Sequence, residues 1–199
     1  MNKNKKLYVI KKEVIYAGKW LNFETITYSD SHGNMRHWEN VSRTTKRGAV
    51  IIIAKMSHSG KIVLVRQFRP PINNYVIEFP AGLVDENESF ESAAVRELKE
   101  ETGYVGKIKK IIPPALSSPG MTNESVAIAL VELDEDLPEN NTPSVAHDAT
   151  EDIQVFLIEQ DKIAPFLKER NNVGDSIDAK LMCFLIGQNF DSLLNARSS

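Results

Sequence analysis

The segment from Gly82 to Tyr104, GLVDENESFESAAVRELKEETGY, constrains the chain more than any other stretch of its 199 residues. A helix advances about 100° per residue, so Glu97, Glu100 and Glu101 would share about a third of its circumference. Its apolar residues are expected on the side that faces a core: Phe90, Ala94, Val95 and Leu98. The sequence therefore predicts one helix with a concentrated negative face.

This negative face is interpreted as a cation site. Glutamates at i,i+3 and i,i+4 spacing repel each other by a few tenths of a kcal/mol per exposed pair, so something must offset the repulsion. Mg²⁺ and Mn²⁺ prefer carboxylate oxygens and keep several waters, which suits a diphosphate substrate. The alternative is a solvated acidic surface. That alternative gives no reason for Gly82, Gly103 and Arg96 at these separations, and Arg96 is expected to hold a carboxylate through a bidentate pair.

The ends of this helix are also predicted from the sequence. Ser89 can accept a hydrogen bond from a first-turn amide, and Gly103 stands where a left-handed residue is favoured. The helix is therefore predicted over residues 90–102. Gly82 follows Ala81, and we expect a tight turn there that directs a backbone carbonyl at the cation.

The segment matches the pattern GX5EX7REUXEEXGU, in which U is a bulky apolar residue, and the chain thus resembles the Nudix hydrolases. The resemblance implies an α+β fold, an α/β/α sandwich with a mixed central sheet, and metal-dependent hydrolysis of a nucleoside diphosphate derivative. It implies Glu97 and Glu101 as metal ligands, with the Ala81 carbonyl, and Glu100 as a further ligand or water-orienting group. Glu88 would support them. Two to three Mg²⁺ ions, or Mn²⁺, are expected.

Other segments resemble the ADP-ribose pyrophosphatases within that family. They are GKW (18–20), RHWENVSRT (36–44), VRQFRPP (65–71), EFPAG (78–82) and SSPGMTNE (117–124). Pro119 also follows Tyr104 by the spacing that resembles ADP-sugar hydrolases. The implied reaction is ADP-ribose plus water to AMP and ribose 5-phosphate.

This narrower resemblance implies an adenine site and a dimer. Trp20 and Trp38 would stack on the two faces of adenine, one of them supplied by the partner subunit of a homodimer with exchanged amino-terminal strands. Packing alone is the alternative for a tryptophan in a strand. Residues 1–45 are accordingly expected to form a β extension for dimerisation and adenine binding, and residues 46–199 the catalytic domain.

Further substrate contacts are expected along the same segments. Arg43 and Arg69 are candidates for binding phosphate, because a guanidinium matches phosphate oxygens bidentately. Arg66 is a weaker candidate, and Glu39 is a candidate for a hydrogen bond from the base or ribose. The turn residues expected to line the terminal ribose are Ser118, Gly120 and Met121, with a purely structural turn as the alternative.

Hydrolysis also needs a group that accepts a proton from the attacking water or orients it. Glu151, in the segment DATEDIQVF, is the candidate loop carboxylate, and Glu100 competes for the role. Glu101 is expected to be essential as a ligand. His147 is interpreted as a solvated loop residue.

Charge and composition favour a small-molecule enzyme. A net charge of −3 argues against a nucleic-acid or membrane-surface partner driven by bulk electrostatics. The first residues have only a short apolar stretch, so no targeting segment is expected. Cys183, the only cysteine, is expected to be a buried thiol in a reducing cytoplasm. Residues 134–151 are expected to be a polar surface loop.

Strand patterns complete the expected layout. Residues 7–16, 21–28 and 35–44 are predicted to pair as a small antiparallel sheet. Residues 48–56 and 62–69 are predicted to form a hairpin covered on both faces.

Two alternatives to the ADP-ribose activity stay open. The same glutamates could serve another nucleoside diphosphate derivative, such as GDP-mannose, NADH or a dinucleoside polyphosphate. The chain could also be a nucleotide-sensing module of the Nudix fold that does not hydrolyse its ligand.

Overall fold

The computed structural model describes residues 7–45, 47–145 and 152–195, with side chains up to residue 188. The chain divides into two compact units. The smaller unit is made of residues 1–49 and 113–127, and the larger unit of residues 50–112 and 128–199. In the described part of the chain, no helix is both long enough and apolar enough to cross a membrane.

The smaller unit contains a three-stranded antiparallel sheet in the order β1–β2–β3. Its strands are β1 (Tyr8–Ala17), β2 (Leu21–Ser29) and β3 (Met35–Arg43). β2 and β3 pair without interruption from Leu21 opposite Arg43 to Ser29 opposite Met35. The predicted antiparallel sheet is confirmed.

The turn between β2 and β3 fixes this register. The Asp30 carboxylate accepts the backbone N–H groups of His32 and Asn34, each at 2.9 Å. Gly33 has φ +84°, a conformation that glycine adopts without steric cost. The backbone N–H of Asn34 lowers the pKa of Asp30, as does the Arg36 guanidinium, so the carboxylate that organises the turn stays charged.

A mixed sheet, most of whose residues belong to the larger unit, has the strand order β11–β6–β5–β4–β9–β8, with β10 paired to β5 and β7 to β4. Its strands are β4 (Ala49–Met56), β5 (Ile62–Arg69), β6 (Asn74–Glu78), β7 (Ala81–Leu83), β8 (Lys107–Leu116), β9 (Ser125–Leu133), β10 (Ile153–Ile158) and β11 (Ser176–Ile177). β11 runs parallel to β6, whereas β5 is antiparallel to β4, β6 and β10. The expected mixed sheet and the hairpin of β4 and β5 are confirmed.

The core of this unit lies against the central strands. β4 and β5 supply side chains that are almost fully buried: Val50, Ile52, Val63, Leu64 and Val65. Apolar burial of this kind stabilises the fold by about 25 cal/mol per Å² removed from water. The first four residues of β5, residues 62–65, are all buried and form the centre of this core.

In the described parts of the chain, four α-helices accompany the strands: α1 (Phe90–Thr102), α2 (Pro138–Asn141), α3 (Ile163–Asn172) and α4 (Ala179–Asn195). The predicted bounds of α1 are confirmed. Ser89 Oγ accepts the backbone N–H of Ser92, and Gly103 ends the helix with φ +73°. Ala94 and Leu98 are buried as expected, but Val95 is exposed, so its predicted place on the core side is wrong.

Two other predictions need correction. Cys183 is exposed on α4, because its side of the helix is not covered by the described residues. The segment after β9 is only partly a polar surface loop. It contains α2, where the buried Asn140 donates to the carbonyl oxygens of Val105 and Asp134 at 2.9 and 2.8 Å and accepts the Val105 N–H. Residues 146–151 lie outside the described residues.

Candidate active site

The predicted cation site begins where β7 meets α1. Glu101 is only 6% exposed, and its Oε2 accepts the backbone N–H of Ala81 at 3.1 Å. The Ile52 N–H donates to the Pro80 carbonyl at 2.8 Å, which joins β7 to the central strand β4. Gly82 lies in this extended strand, so the predicted tight turn at Gly82 is wrong. The Ala81 backbone N–H nevertheless contacts Glu101, the glutamate that we expected beside Ala81.

Gly82 is required here because of the side chain that crosses it. A Cβ atom at residue 82 would lie 1.8 Å from Glu97 Cδ and 1.9 Å from Glu97 Oε1, far inside van der Waals contact. The absence of a side chain at residue 82 thus gives the Glu97 carboxylate its place above β7. Glu97 is largely buried, with 14% of its side chain exposed.

Arg96 binds several glutamates of the site. Its Nε and Nη2 donate to the two oxygens of Glu88, each at 2.9 Å, which confirms the expected bidentate pair. Its Nη1 donates to Glu97 at 2.9 Å and to Glu100 at 3.0 Å, and its Nη2 also reaches the Leu83 carbonyl at 3.0 Å. The hydrogen bond from Arg96 lowers the pKa of Glu88 and, in return, raises the pKa of Arg96.

Glu101 has the most perturbed carboxyl group of the site. Burial raises its pKa to about 8, with a further rise from the nearby charges of Glu97 and Glu78. The Ala81 N–H and the charge of Arg69 act in the opposite direction. Two neighbouring carboxylates therefore add to the effect of burial on Glu101, and a cation placed beside Glu101 would favour its charged form.

The residues fit a hard divalent cation by chemistry. Carboxylate and carbonyl oxygens are the ligands that Mg²⁺ and Mn²⁺ prefer. Glu101 meets the Ala81 backbone and Glu97 lies over Gly82 at the junction of β7 and α1, and Glu100 shares Arg96 Nη1 with Glu97. Within residues 7–45, 47–145 and 152–195, however, no three acidic, histidine or cysteine side chains are already arranged around a common ion position. Glu97 and Glu100 are instead turned toward Arg96.

Arg69 and Glu78 lie next to this group. Arg69 Nε donates to Glu78 Oε1 at 2.8 Å, and 13% of the Glu78 side chain is exposed. Burial raises the pKa of Glu78, while the hydrogen bond from Arg69 acts against that rise. Arg69 is among the residues predicted from the sequence, whereas Glu78 is not. Its place at the end of a strand, directly before Phe79 and Pro80, was the available signal.

The weaker candidate Arg66 has a structural set of partners. Its Nε donates to both carboxylate oxygens of the buried Asp175 at 3.0 Å, and its guanidinium carbon lies 3.5 Å from the centre of the Tyr75 ring. The Tyr75 hydroxyl donates to Asp152. Arg66 is thus engaged on both sides by protein groups.

In the smaller unit, the structure brings Trp38 together with the predicted ribose turn. The indole Nε1 of Trp38 donates to the Gly120 carbonyl at 3.0 Å. The Val41 N–H donates to the Met121 carbonyl, and the Met121 N–H donates to Ser118, each at 2.9 Å. The side chains of Trp38 and Met121 are 50% and 59% exposed, so both present apolar surface to solvent.

The other candidates in this unit are placed as follows. Trp20 is 66% exposed and lies in the turn between β1 and β2, so its predicted place within a strand is wrong. Its carbonyl accepts the Thr44 N–H at 3.0 Å. Arg43 forms an ion pair with Glu124, and Glu39 is exposed on β3.

A polar cavity of about 260 Å³ lies beside Arg43 in the same unit. Its lining includes Lys12, Glu24, Ser42 and Glu124. The candidates Glu151 and His147 lie outside the described residues, so their predicted roles stay predictions.

Known proteins with similar sequences support the resemblance to the Nudix hydrolases. Residues 45–173 match the NUDIX domain family. The chain is 37% identical over 171 residues to the ADP-ribose pyrophosphatase of Saccharomyces cerevisiae, covering 82% of this chain and 74% of that protein. It is 39% identical over 142 residues to the ADP-sugar pyrophosphatase of Mus musculus, covering 68% of this chain and 65% of that protein.

A solved structure shows the same fold. The crystal structure of an ADP compounds hydrolase aligns with a TM-score of 0.64 at 23% identity, covering 84% of this chain and 86% of that chain. The family match covers more than half of the residues and includes the whole β7–α1 site. The chain therefore belongs to the Nudix family of hydrolases.

Proposed function

We propose that this chain hydrolyses the diphosphate of ADP-ribose, and of related ADP-sugars, to give AMP and, from ADP-ribose, ribose 5-phosphate. The observation that carries the proposal is the group at the β7–α1 junction, where Glu101 is buried against the Ala81 N–H and Glu97 lies over Gly82. The yeast and mouse relatives, named for ADP-ribose and ADP-sugar pyrophosphatase activity, support the substrate class.

Divalent cations are proposed as the cofactor, since the oxygen donors at this junction suit Mg²⁺ or Mn²⁺. Glu97, Glu101, Glu100 and the Ala81 carbonyl would hold two to three of them. When bound, such ions lower the pKa of water and neutralise negative charge on the diphosphate. The β7 backbone positions two of these ligands: Gly82 leaves room for Glu97, and the Ala81 N–H orients Glu101.

The remaining catalytic roles are assigned to side chains. Arg69 binds a phosphate oxygen of the diphosphate, because a guanidinium offers paired donors to such an oxygen. Glu100 accepts or orients the proton of the attacking water, since 46% of its side chain is exposed and can reach solvent. Glu151 is the alternative for that role.

Base and sugar recognition are assigned to the smaller unit. Trp20 and Trp38 stack on adenine, with Glu39 accepting a hydrogen bond from the base or ribose. Arg43 binds phosphate, and the turn residues Ser118, Gly120 and Met121 line the terminal ribose. The exposure of both indole rings supports a stacking role, because base–aromatic stacking contributes about 1–3 kcal/mol per base.

We also propose a homodimer with exchanged amino-terminal strands, in which residues 1–45 form the dimer and adenine module and residues 46–199 the catalytic domain. All ten residues of β1 are exposed, and they include large apolar side chains: Tyr8, Val9, Ile10, Val14, Ile15 and Tyr16. A strand with so much uncovered apolar surface favours a protein partner. The single cysteine in turn supports a reducing compartment, and we propose the cytoplasm.

The activity is tested with purified protein, ADP-ribose and Mg²⁺, with products separated by chromatography. We expect AMP and ribose 5-phosphate, with kcat reduced by orders of magnitude in Glu101→Gln and unchanged in Glu91→Gln, an exposed glutamate in the first turn of the same helix. Reaction in ¹⁸O-labelled water identifies the phosphorus that is attacked. Full turnover by Glu101→Gln at saturating Mg²⁺ would contradict the proposed ligand.

A substrate panel separates the alternatives. A higher kcat/KM for GDP-mannose, NADH or a dinucleoside polyphosphate than for ADP-ribose would assign another substrate. Tight ADP-ribose binding without turnover would indicate a sensing module. The dimer is tested by light scattering, where we expect twice the chain mass of 22.3 kDa, and a monomer at micromolar concentration would contradict it.

A further inference from the structure

Glu78 occupies a position from which it controls Arg69. β5 and β6 are antiparallel, with Val65 opposite Glu78 and Arg69 opposite Asn74. Residues 65 and 69 lie on the same face of β5, and opposed residues share a face, so Arg69 and Glu78 lie on the same side of the sheet. Four residues of strand span about 13 Å. The Arg69 side chain must therefore run back along the sheet to reach Glu78.

In this orientation the Arg69 guanidinium lies near the end of β6, three residues before Ala81 in the proposed cation site. Arg69 and Glu78 both lie close enough to Glu101 to change its pKa by their charges. The contact with Glu78 uses Nε alone, at 2.8 Å. Among the described residues, neither terminal nitrogen of Arg69 has a hydrogen-bond partner, and 42% of the side chain is exposed. The four N–H groups of these two terminal nitrogens thus remain available to a ligand.

We propose that Glu78 is a positioning residue that fixes Arg69 through Nε, so that its two terminal nitrogens face the diphosphate of the substrate. This inference rests on the proposed ADP-ribose hydrolysis and adds a residue to it. A long arginine side chain loses about 2 kcal/mol of rotamer entropy when it is held in one conformation. A contact made before the substrate arrives removes part of that cost from binding.

The geometry also argues against a purely electrostatic role for Glu78. A carboxylate close to a diphosphate repels it, so charge alone would make Glu78 unfavourable for substrate binding. Its benefit must come from the orientation of Arg69. Two substitutions separate these effects: Glu78→Gln keeps the length and an oxygen acceptor but removes the charge, and Glu78→Asp keeps the charge but withdraws it by one methylene.

The experiment measures ADP-ribose affinity by calorimetry in the presence of a chelator, together with KM and kcat in Mg²⁺. We expect Glu78→Asp to raise Kd and KM about tenfold with kcat within about threefold of wild type, because one oriented ionic hydrogen bond is lost. Glu78→Gln should change Kd and KM by about threefold or less. In an Arg69→Ala background, neither substitution should change kcat/KM further, since contacts that act through one another are not additive. Urea unfolding checks that each variant remains folded.

Three results would overturn the inference. Glu78→Asp could bind as the wild type does, Glu78→Gln could be impaired as strongly as Glu78→Asp, or the loss could persist in the Arg69→Ala background. A wild-type protein that neither binds nor hydrolyses ADP-ribose would instead overturn the proposed function, and this inference with it. The activity of the wild type therefore distinguishes the two failures.

Discussion

Trp38 and Gly120 are joined by a hydrogen bond across 82 residues of sequence, in which the indole N–H donates to the backbone carbonyl at 3.0 Å. The bond ties the proposed adenine platform on β3 to the turn proposed to line the terminal ribose. Trp38 keeps a defined ring orientation although half of its surface is exposed. Base and sugar recognition are thus expected to depend on each other.

Trp38→Phe tests this dependence, because phenylalanine keeps an aromatic ring but has no indole donor. A neutral hydrogen bond contributes about 0.5–1.5 kcal/mol, so we expect KM for ADP-ribose to rise about two- to tenfold with little change in kcat. The matched control is Trp20→Phe, because the Trp20 indole N–H has no partner within the described part of the chain. Steady-state kinetics measure both, and equal effects would count against a role for the Gly120 contact.

Gly82→Ala tests the space beneath Glu97. The new Cβ would fall 1.8 Å from Glu97 Cδ, and the glutamate side chain can rotate away more easily than the β7 backbone can move. We expect a folded protein whose kcat falls by about a hundredfold or more, because the proposed metal ligand Glu97 is displaced. Kinetics and urea unfolding are measured together.

A double variant strengthens the test of Gly82. In a Glu97→Ala background, Gly82→Ala should cause little further loss, since the clashing side chain has been removed. An equal loss in both backgrounds would mean that Gly82 acts through something other than Glu97.

Glu24 should make folding stability depend on pH. Burial tends to raise the pKa of Glu24, but hydrogen bonds from Lys12, Ser42 and Asn40 outweigh it and lower the pKa below the ordinary value of 4.5. A carboxyl group with a lowered folded-state pKa stabilises the fold above about pH 4.5, and that stabilisation is lost as pH falls through the folded-state value. Glu24→Gln should therefore cost about 1–3 kcal/mol near neutral pH and progressively less in acid.

Urea unfolding from pH 7 to pH 3 measures this difference. Glu13→Gln is the control, since Glu13 forms an exposed ion pair with Lys11 and such pairs contribute little. A Glu24→Gln deficit that stays constant throughout the acid range would refute the assignment.

Two glycines on helices should respond to alanine with opposite signs. Gly103 has φ +73°, and a Cβ there would lie 2.7 Å from the Ser144 backbone nitrogen, so Gly103→Ala should destabilise by about 1–3 kcal/mol. Gly187 is exposed within α4, and a Cβ atom at this position would have none of the described neighbours within 4 Å, so Gly187→Ala should stabilise by about 0.5–1 kcal/mol. Thermal unfolding distinguishes them, and a shift in the same direction for both would contradict this account.

The local parts of the fold could be predicted from the sequence. Helix α1 follows from signals within a few residues of each other: the cap at Ser89, the apolar spacing of Ala94 and Leu98, and the glycine at residue 103. The strands β1 to β3 follow in the same way from alternation and turn residues. Such signals involve only residues that are close in the chain, so they can be recognised from the sequence alone.

The errors concern contacts between distant residues. Gly82 was expected to make a turn, but its requirement comes from Glu97, whose side chain lies over a strand. Val95 and Cys183 are apolar residues on helical faces that remain exposed among the described residues. The pairing of Arg69 with Glu78 depends on the β5–β6 register. Sequence spacing indicates which residue types are present, but not which of them meet in the folded chain.

Arg96 already supplies positive charge to Glu88, Glu97 and Glu100 through four hydrogen bonds. A zinc finger, by contrast, does not fold until its metal arrives. Here the Arg96 guanidinium already neutralises part of the negative charge of these glutamates, so we expect the chain to fold without bound cations. Removing the divalent cation with a chelator should abolish hydrolysis while the protein stays folded. Adding the cation back should restore the activity without a refolding step.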